Sequence, residues 1–529
     1  MKALWRSSAK LSAAALALAM VTAACSTSSG SSPSVGGPLT FGTVDPVNNF
    51  DPDVLPGGPG QADGATIMLT YDRLLHFDTN GKLWPELAQS WTVTPTSATF
   101  TLKQGPTCSD GTPVTPEVVA NSIKRMSTVA GSAYQSSLGT KGYTVTTDDS
   151  AHTVTINLNA PFSDLLIGMA MPWASIICPA GINNPAALAS KPAGSGPYIL
   201  SSSGGGEYTF TARPDYNWGP HGMTTKQAGF PQKLTMITNL SDEATAASEV
   251  LRGQLAWFAF AGVDRKRFSS NSSFAEVDIP TPGTAYVALK AEGIFTDPTL
   301  REAIYMALDP KALNQSAMGG FGLQTTSIIG PKTDCFDSAT SNYQIKYDPT
   351  AAKALLVQDG WVVGSDGVRS KNGQRLVVRT VETTDLGGAD QYIVPALQAI
   401  GAEVKSRVLD QTAYVNVLFN TLAFDIVLYP NGAPLPTPTD KFVRLIAVFS
   451  PVGRNLWHIN DPDLLAAVTL ATTSVGAQRC QAWATAQEVL LQHYWLEPVA
   501  AVTLAWIHPK TVNVDGLPGQ YPDPFTLKS

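Results

Sequence analysis

The chain has 529 residues and a formal net charge of −7 at pH 7, and 44% of its residues are hydrophobic whereas 15% are charged. The acidic balance and the lack of a basic stripe exclude the electrostatic footprint of a nucleic-acid-binding protein. About 490 residues follow the N-terminal segment, more than one hydrophobic core normally supports, so we expect at least two lobes.

The N-terminal residues have the pattern of a secretion signal. The basic residues Lys2, Arg6 and Lys10 come first. They are followed by an apolar run at 11–21 and by the small residues at 22–24. This pattern predicts a signal peptide over 1–24, since the apolar run is shorter than the roughly 20 residues that span a bilayer. No later segment of the sequence is long and apolar enough to span one either.

Cys25 follows the small residues and precedes a Ser/Gly-rich tract at 26–37. This arrangement resembles the lipobox of bacterial lipoproteins, in which the cysteine is diacylated. We therefore expect a lipid on Cys25, a flexible tether over 25–37, and anchoring to the outer face of the bacterial cytoplasmic membrane through the lipid only. The alternative is simple secretion.

Four further cysteines are present, Cys108, Cys178, Cys335 and Cys480. An even number in an oxidising compartment predicts two disulfides, and three pairings are open. Buried free thiols are the alternative. The sequence has no CxxC or Cys/His spacing, and its histidines show no HxH or HExxH spacing, so we expect no metal site and no cofactor.

The predicted elements indicate a mixed α/β chain. In chain order, residues 83–91 are expected to form a short amphipathic helical turn, and the alternation at 98–102 and 154–158 predicts two strands of one sheet. Trp257 and Phe258, in the apolar run 255–260, are expected in the core.

Several helix starts are legible because a capping residue is followed by proline, which suits the first helical position. They are Thr115-Pro116, Asp297-Pro298, Asp348-Pro349 and Asp461-Pro462. Gly360 is the expected end of the helix that begins at Pro349.

No motif in the sequence indicates catalysis. There is no GxSxG elbow, and Gly194-Ser195-Gly196-Pro197 suits a turn into a strand. GxGxxG and GxxxxGK[ST] phosphate motifs are also missing. We therefore expect a protein that is not an enzyme.

A series of segments resembles the family 5 extracellular solute-binding proteins, which include the oligopeptide, dipeptide and nickel binders of ABC importers. The matching segments are YDRLLHFD (71–78), GKLWPELAQSW (81–91), FTL (100–102), DGTPVT (110–115), SIKR (122–125), GSGPY (194–198), LREAI (300–304), YDP with AKALL (347–356) and EP (497–498). One motif would be weak evidence, but the ordered series is specific.

The resemblance implies an α/β, two-lobe fold like the type II, cluster C periplasmic binding proteins, with an extra subdomain in the first lobe. Lobe I would comprise 38–278, with the subdomain at about 65–190, and a return at 490–529, while lobe II would comprise 279–489. A ligand would be enclosed between the lobes by hinge motion. With this division Cys108 pairs with Cys178 and Cys335 with Cys480, because each bridge then stays within one lobe and leaves the hinge free.

In the family's peptide binders an Asp after a strand pairs with the ligand's amino group. The corresponding strand here ends at Tyr429 and is followed by Asn431 and Gly432, and the apolar pair Pro434-Leu435 stands at the Asp position. A buried ammonium without a counter-charge is costly. The ligand is therefore expected to lack a free amino group, unless one of three other acids substitutes: Asp45, Asp51 or Asp440.

The candidate ligand-binding residues are Asn48, Asn49, Tyr286, Tyr429, Asn431, Gly432, Leu435 and Trp457. Core packing is the alternative role for Tyr286 and Trp457, and a solvated turn is the alternative for the two asparagines at 48 and 49.

The expected function is capture of a peptide or peptide-like small ligand, by a monomeric protein, for delivery to the permease subunits of an ABC importer. The alternatives are a secreted hydrolase and a ligand-sensing or chaperone-like lipoprotein.

Overall fold

The computed structural model describes residues 36–54, 61–77, 82–130, 132–331, 333–383, 388–430, 437–448 and 454–512. The predicted lipidation site Cys25 and three predicted ligand-binding residues, Asn431, Gly432 and Leu435, lie outside the described residues.

Twenty strands are assigned in the described part of the chain: β1 Leu39–Gly42, β2 Leu75–Phe77, β3 Leu83–Pro85, β4 Ala88–Thr94, β5 Ser97–Leu102, β6 Tyr143–Asp148, β7 Thr153–Leu158, β8 Tyr198–Gly204, β9 Glu207–Ala212, β10 Lys233–Ile237, β11 Phe258–Phe260, β12 Phe274–Leu289, β13 Leu323–Gln324, β14 Val362–Val363, β15 Arg369–Lys371, β16 Gln374–Arg375, β17 Val377–Thr383, β18 Glu403–Leu409, β19 Ile426–Pro430 and β20 Leu496–Pro509.

The same residues contain thirteen α-helices: α1 Gln61–Thr70, α2 Pro116–Met126, α3 Tyr134–Leu138, α4 Leu165–Gly168, α5 Pro179–Asn183, α6 Glu243–Leu251, α7 Pro298–Met306, α8 Pro310–Met318, α9 Pro349–Gln358, α10 Ala389–Ala399, α11 Gln411–Asn416, α12 Pro462–Thr473 and α13 Gly476–Gln492. Short π-helices cover Val417–Thr421 and Asp440–Ala447.

Two four-stranded sheets lie in the first half of the chain. One has the order β1-β10-β9-β8, and the other is the antiparallel sheet β4-β5-β7-β6. The predicted strands at 98–102 and 154–158 are confirmed as β5 and β7, and Phe100 pairs with Val154. The second sheet packs against α2 and lies within the stretch predicted to form the extra subdomain, about 65–190.

A larger sheet with the order β11-β20-β12-β19-β17-β18 organises the second half. Strands β12 and β20 are long and antiparallel, and they run from one end of this sheet to the other. At one end β20 pairs with β11, and at the other end β12 pairs with β19.

The buried apolar side chains of these long strands belong to one cluster at the β11 end of the strands and to two clusters at the β19 end. Phe274 on β12 and Ala505 on β20 pack with the cluster around β11 and α6. Farther along the two strands, Ala285 and Val499 pack against the helices α7 to α10 instead. We call the part before residue 278, with 505–512, the first lobe, and the part between 284 and 502 the second lobe.

The predicted helix starts are confirmed. The Asp297 carboxylate accepts a hydrogen bond from the Thr299 N–H at 3.0 Å, as an N-cap does. Corresponding caps form at Thr115, Asp348 and Asp461. Gly360 follows α9 with φ of +88°, in the left-handed region that glycine adopts readily. Asp309 caps α8 in the same way, although its Asp-Pro pair was not among the predicted starts.

The predicted helical turn over 83–91 is wrong, because these residues form β3 and the start of β4. The N–H groups of Glu86 and Leu87 donate to the carbonyls of Leu74 and Arg73. Trp91 pairs with Phe100 across β4 and β5. Interstrand hydrogen bonding therefore outweighs the spacing of the apolar residues, which suits either element.

Trp257 and Phe258 lie in the core as predicted, and the Trp257 ring stacks on Phe41 with centroids 4.7 Å apart. The segment Gly194–Pro197 leads into β8 as predicted. A Cβ at Gly196 would lie 2.5 Å from the Thr70 carbonyl carbon, so the end of α1 leaves room only for glycine.

Candidate functional site: the cleft between the lobes

The first lobe passes into the second through β12 and β20. Their pairing changes register between Pro280 and Thr284, and again between Ala285 and Tyr286. Such irregularities bend strands locally. Beside this crossing, the Arg265 guanidinium of the first lobe lies 4.2 Å from the ring centroid of Phe321 of the second lobe.

The structure brings three predicted ligand-binding residues together in the second lobe. Tyr286 on β12 pairs across the sheet with Tyr429 on β19, with ring centroids 5.6 Å apart. The ring of Trp457 lies 5.9 Å from that of Tyr286 and 5.7 Å from that of Tyr429. Tyr286 and Trp457 are fully buried, whereas Tyr429 is half-buried. The structure therefore shows that the three rings pack against one another, and their contact with a ligand stays a prediction.

Asn48 and Asn49 lie in the first lobe, in the loop after β1. The backbone N–H and the side-chain amide of Asn48 donate to the two oxygens of Asp63, at 2.8 and 2.9 Å. The side-chain oxygen of Asn49 accepts from the Asp51 N–H at 2.8 Å. The loop therefore has a definite conformation at the start of α1, and ligand contact by either asparagine stays a prediction.

Buried carboxylates crowd the same loop. Asp51 and Asp53 both accept hydrogen bonds from Arg125. Burial raises the pKa of Asp53 to about 7, because the folded environment disfavours its charged form. Asp45 accepts from the Ala62 N–H at 3.2 Å. Asp45 and Asp51, two of the acids that could replace the missing Asp, therefore have partners within the first lobe.

The two lobes also touch at a point away from the crossing strands. The Arg479 guanidinium on α13 donates to the Asp164 carboxylate at 2.9 Å, and the Thr439 hydroxyl donates to the same carboxylate. The Ser163 N–H donates to the Thr472 carbonyl at 3.0 Å. None of these residues was predicted from the sequence, because they are far apart along the chain. The one available signal was Arg479 itself, a cation in the first turn of a helix, where the helix dipole disfavours it.

A cavity of about 910 Å³ opens beside these contacts. Both lobes contribute to its walls, with Val93, Phe162 and Leu165 on one side and Pro331 and Val475 on the other. Its volume falls within the range of small-molecule sites. Its walls combine these apolar side chains with polar ones, among them Asp164, Asp334 and Arg479. The interlobe space can therefore hold a small organic ligand.

The structure contains the two predicted disulfides, Cys108–Cys178 and Cys335–Cys480. Each lies within one lobe, so neither bridge crosses the cleft. The sulfur atoms of Cys335 and Cys480 lie close to the Asp334 carboxylate. Because both sulfurs belong to a disulfide, they are not thiolate ligands for a metal.

A family model described as the middle part of family 5 of the bacterial extracellular solute-binding proteins matches residues 82–447. The match covers well over half of the chain. The chain belongs to this family. It is a family of binding proteins rather than of enzymes, so the hydrolase alternative is not supported.

Among curated relatives, the glutathione-binding protein GsiB of Escherichia coli O1:K1 / APEC is 28% identical over 302 residues. The matched stretch covers 56% of this family 5 chain and 56% of GsiB, little more than half the length of either.

Two solved structures resemble the whole fold more fully. A substrate-binding protein from Microbacterium hydrocarbonoxydans, in complex with 4-hydroxybenzoate hydrazide, is 27% identical with a TM-score of 0.76, covering 90% of this chain and 96% of that one. The oligopeptide-binding protein AppA from Bacillus subtilis, in complex with a nonapeptide, is 18% identical with a TM-score of 0.78, covering 93% and 97%. At that identity AppA shows the fold alone. The predicted two-lobe fold of type II periplasmic binding proteins is thus confirmed.

In the part of the chain that the structure describes, no helix has both the length and the apolar character needed to cross a bilayer.

Proposed function

We propose that this family 5 protein is the lipid-anchored, monomeric binding component of an ABC importer, which captures a small peptide-like ligand between its lobes and delivers it to permease subunits. The observation that carries the proposal is the arrangement of two cores joined by β12 and β20, with a cavity of about 910 Å³ between the lobes. Proteins that close around a ligand by hinge motion have this arrangement.

The proposed division of the chain is 38–278 and 490–529 for lobe I and 279–489 for lobe II. The packing of Val499 with the helices α7 to α10 supports a later return to lobe I, after residue 502. The register changes between Pro280 and Tyr286 support a hinge at the first of these boundaries. The lipid on Cys25 is supported by the sequence pattern around it.

The proposed ligand has an uncharged end where peptide binders hold a free amine. Pro434 and Leu435 offer no carboxylate at the expected position. Asp51 is already paired with Arg125, and Asp45 already accepts from the backbone at the start of α1. Unless Asp440 supplies one, an ammonium placed there would be desolvated without a dedicated counter-charge.

Aromatic side chains support a ligand with a flat or apolar part. Tyr429 is the half-buried member of its aromatic cluster, and its ring packs against those of Tyr286 and Trp457. The relative from Microbacterium hydrocarbonoxydans was solved with an aromatic hydrazide, a neutral amide-like compound. A ligand that combines amide groups with an aromatic or apolar group fits both observations.

The test is native mass spectrometry of the purified protein, followed by calorimetry with a fixed panel. The panel consists of the dipeptide Met-Leu, its N-acetylated form, glutathione and 4-hydroxybenzoate hydrazide. We expect a retained small molecule, and we expect N-acetyl-Met-Leu to bind at least as tightly as Met-Leu. A preference of more than tenfold for the free amine would contradict the proposed ligand chemistry.

An uptake experiment in cells distinguishes a role in import from a role in ligand sensing. If the protein serves an importer, deleting its gene should abolish uptake of the retained ligand, and a permease and an ATPase should be encoded beside it. Unchanged uptake in the deletion strain would favour the ligand-sensing or chaperone-like alternative.

A further inference from the structure

Three chain segments meet at the lobe contact opposite the crossing strands. Asp164 precedes α4, Thr439 precedes the π-helix Asp440–Ala447, and Arg479 lies in the first turn of α13. One oxygen of the Asp164 carboxylate accepts from Arg479 at 2.9 Å and from the Ser163 hydroxyl at 3.3 Å, while the other accepts from Thr439. We call Asp164, Thr439 and Arg479 the interlobe cluster.

Each member is rigidly attached to the core of its own lobe. Phe162 and Leu165, on either side of Asp164, belong to the buried core of the first lobe. Phe442 and Trp483 belong to the core of the second lobe, and their rings lie 5.1 Å apart. Separation of the lobes therefore has to break the hydrogen bonds of the interlobe cluster.

Arg479 is held from several directions within the second lobe. Its guanidinium donates to Asp334 and, at 3.3 Å, to the sulfur of Cys335. The disulfide from Cys335 to Cys480 joins the residues that directly follow Asp334 and Arg479 in the chain. The guanidinium is thus positioned before the lobes meet, which reduces the entropy lost on forming the contact.

Both charges of the cluster are buried, with side-chain exposures of 7% for Arg479 and 3% for Asp164. A buried ion pair gains little over the same two groups in water, but Asp164 without Arg479 is an uncompensated buried charge in the interface. Arg479 without Asp164 keeps the exposed Asp334 as a partner. Removal of Arg479 should therefore open the lobes most, removal of the Asp164 charge should open them less, and neutralisation of both should partly restore closure.

We propose that Asp164, Thr439 and Arg479 are positioning residues that set the population of the closed form, and hence ligand affinity, by bonding the lobes to each other. The effect of the interlobe cluster on ligand affinity rests on the proposed binding function. Its effect on the separation of the lobes does not depend on that function, and it can be measured on the protein without any ligand.

The experiment compares the wild-type protein with Arg479→Met, Asp164→Asn and the double variant, all without ligand. Small-angle X-ray scattering gives the radius of gyration. Hydrogen exchange gives the protection of the Ser163 N–H, whose acceptor, the Thr472 carbonyl, lies in the other lobe. Arg375→Met is the matched control, because Arg375 pairs with Asp366 and Glu403 on the exposed surface of the second lobe.

We expect Arg479→Met to increase the radius of gyration and to lower the protection of Ser163 by at least about 30-fold. This factor corresponds to about 2 kcal/mol, the lower end for truncating one partner of a buried charged pair, at about 1.4 kcal/mol per tenfold change. The double variant should lose less protection than Arg479→Met alone, and the control should match the wild type.

Protection of Ser163 within twofold of the wild type in both single variants would overturn the proposal. Loss of protection along the whole of α13 in both variants would also overturn it, since the cluster would then hold the fold of the second lobe rather than its closure. Neither readout depends on the ligand panel, so a failure of the proposed ligand chemistry is recognised separately.

Discussion

Arg301 is the residue of the LREAI segment whose removal should destabilise the second lobe most clearly. It lies on α7, and its charged side chain is buried. The guanidinium donates to the carbonyls of Phe295, Thr296, His493 and Tyr494 at 2.8–3.1 Å. It also lies 3.7 Å from the ring centroid of Trp495. It therefore fastens α7 to the end of α13.

The substitution Arg301→Met keeps the apolar stem and removes the donors. Hydrogen bonds to charged groups contribute roughly 1.5 kcal/mol or more each, and four carbonyls would lose their partner. Some of them will be rehydrated, so we expect a loss of about 4 kcal/mol in the free energy of unfolding. Arg301→Lys should lose about half as much, because an ammonium group lacks the planar fork that reaches several acceptors.

Urea unfolding followed by circular dichroism measures both variants. Arg252→Met is the control, since Arg252 forms an exposed pair with Glu249 on α6 and should change stability by less than about 0.5 kcal/mol. A loss below about 1 kcal/mol for Arg301→Met would refute the reasoning, because it would mean that water replaces the guanidinium at no cost.

Two further predictions concern Asp53 and Cys25. Burial raises the pKa of Asp53 to about 7, above its unfolded value, so its contribution to stability is fully present below about pH 4 and is lost as the pH rises through 7. Asp53→Asn should therefore flatten the fall in urea midpoint between pH 5 and pH 7.5, whereas a slope equal to that of the wild type would contradict this pKa. Cys25→Ala should release the protein into the medium or leave it unprocessed, as cell fractionation would show. Unchanged membrane retention would rule out the lipid anchor.

Local signals in the sequence predicted local structure well. A carboxylate or hydroxyl followed by proline satisfies the first N–H groups of a helix and suits its first φ angle, so the starts at Asp297 and Asp348 were legible without any partner. Residues 83–91 show the limit of such signals. Their strand pairing depends on carbonyls of Arg73 and Leu74, which the spacing of apolar residues does not report.

The candidate site was predictable only in part. Tyr286, Tyr429 and Trp457 could be named from the resemblance, yet their mutual distances of 5.6 to 5.9 Å follow from the pairing of β12 with β19. The disulfide partners followed from the division into lobes that the resemblance implies.

The sequence by itself determined the helix caps and the family and predicted a secretion signal, because each depends on residues close together in the chain or on an ordered series of motifs. Only the tertiary structure decided which buried charges meet. Asp164 and Arg479 are 315 residues apart, and neither segment indicates the other as its partner. Their contact exists because long crossing strands bring distinct buried clusters together, and the pairing energy of two charges depends on a distance and a burial that no local pattern encodes.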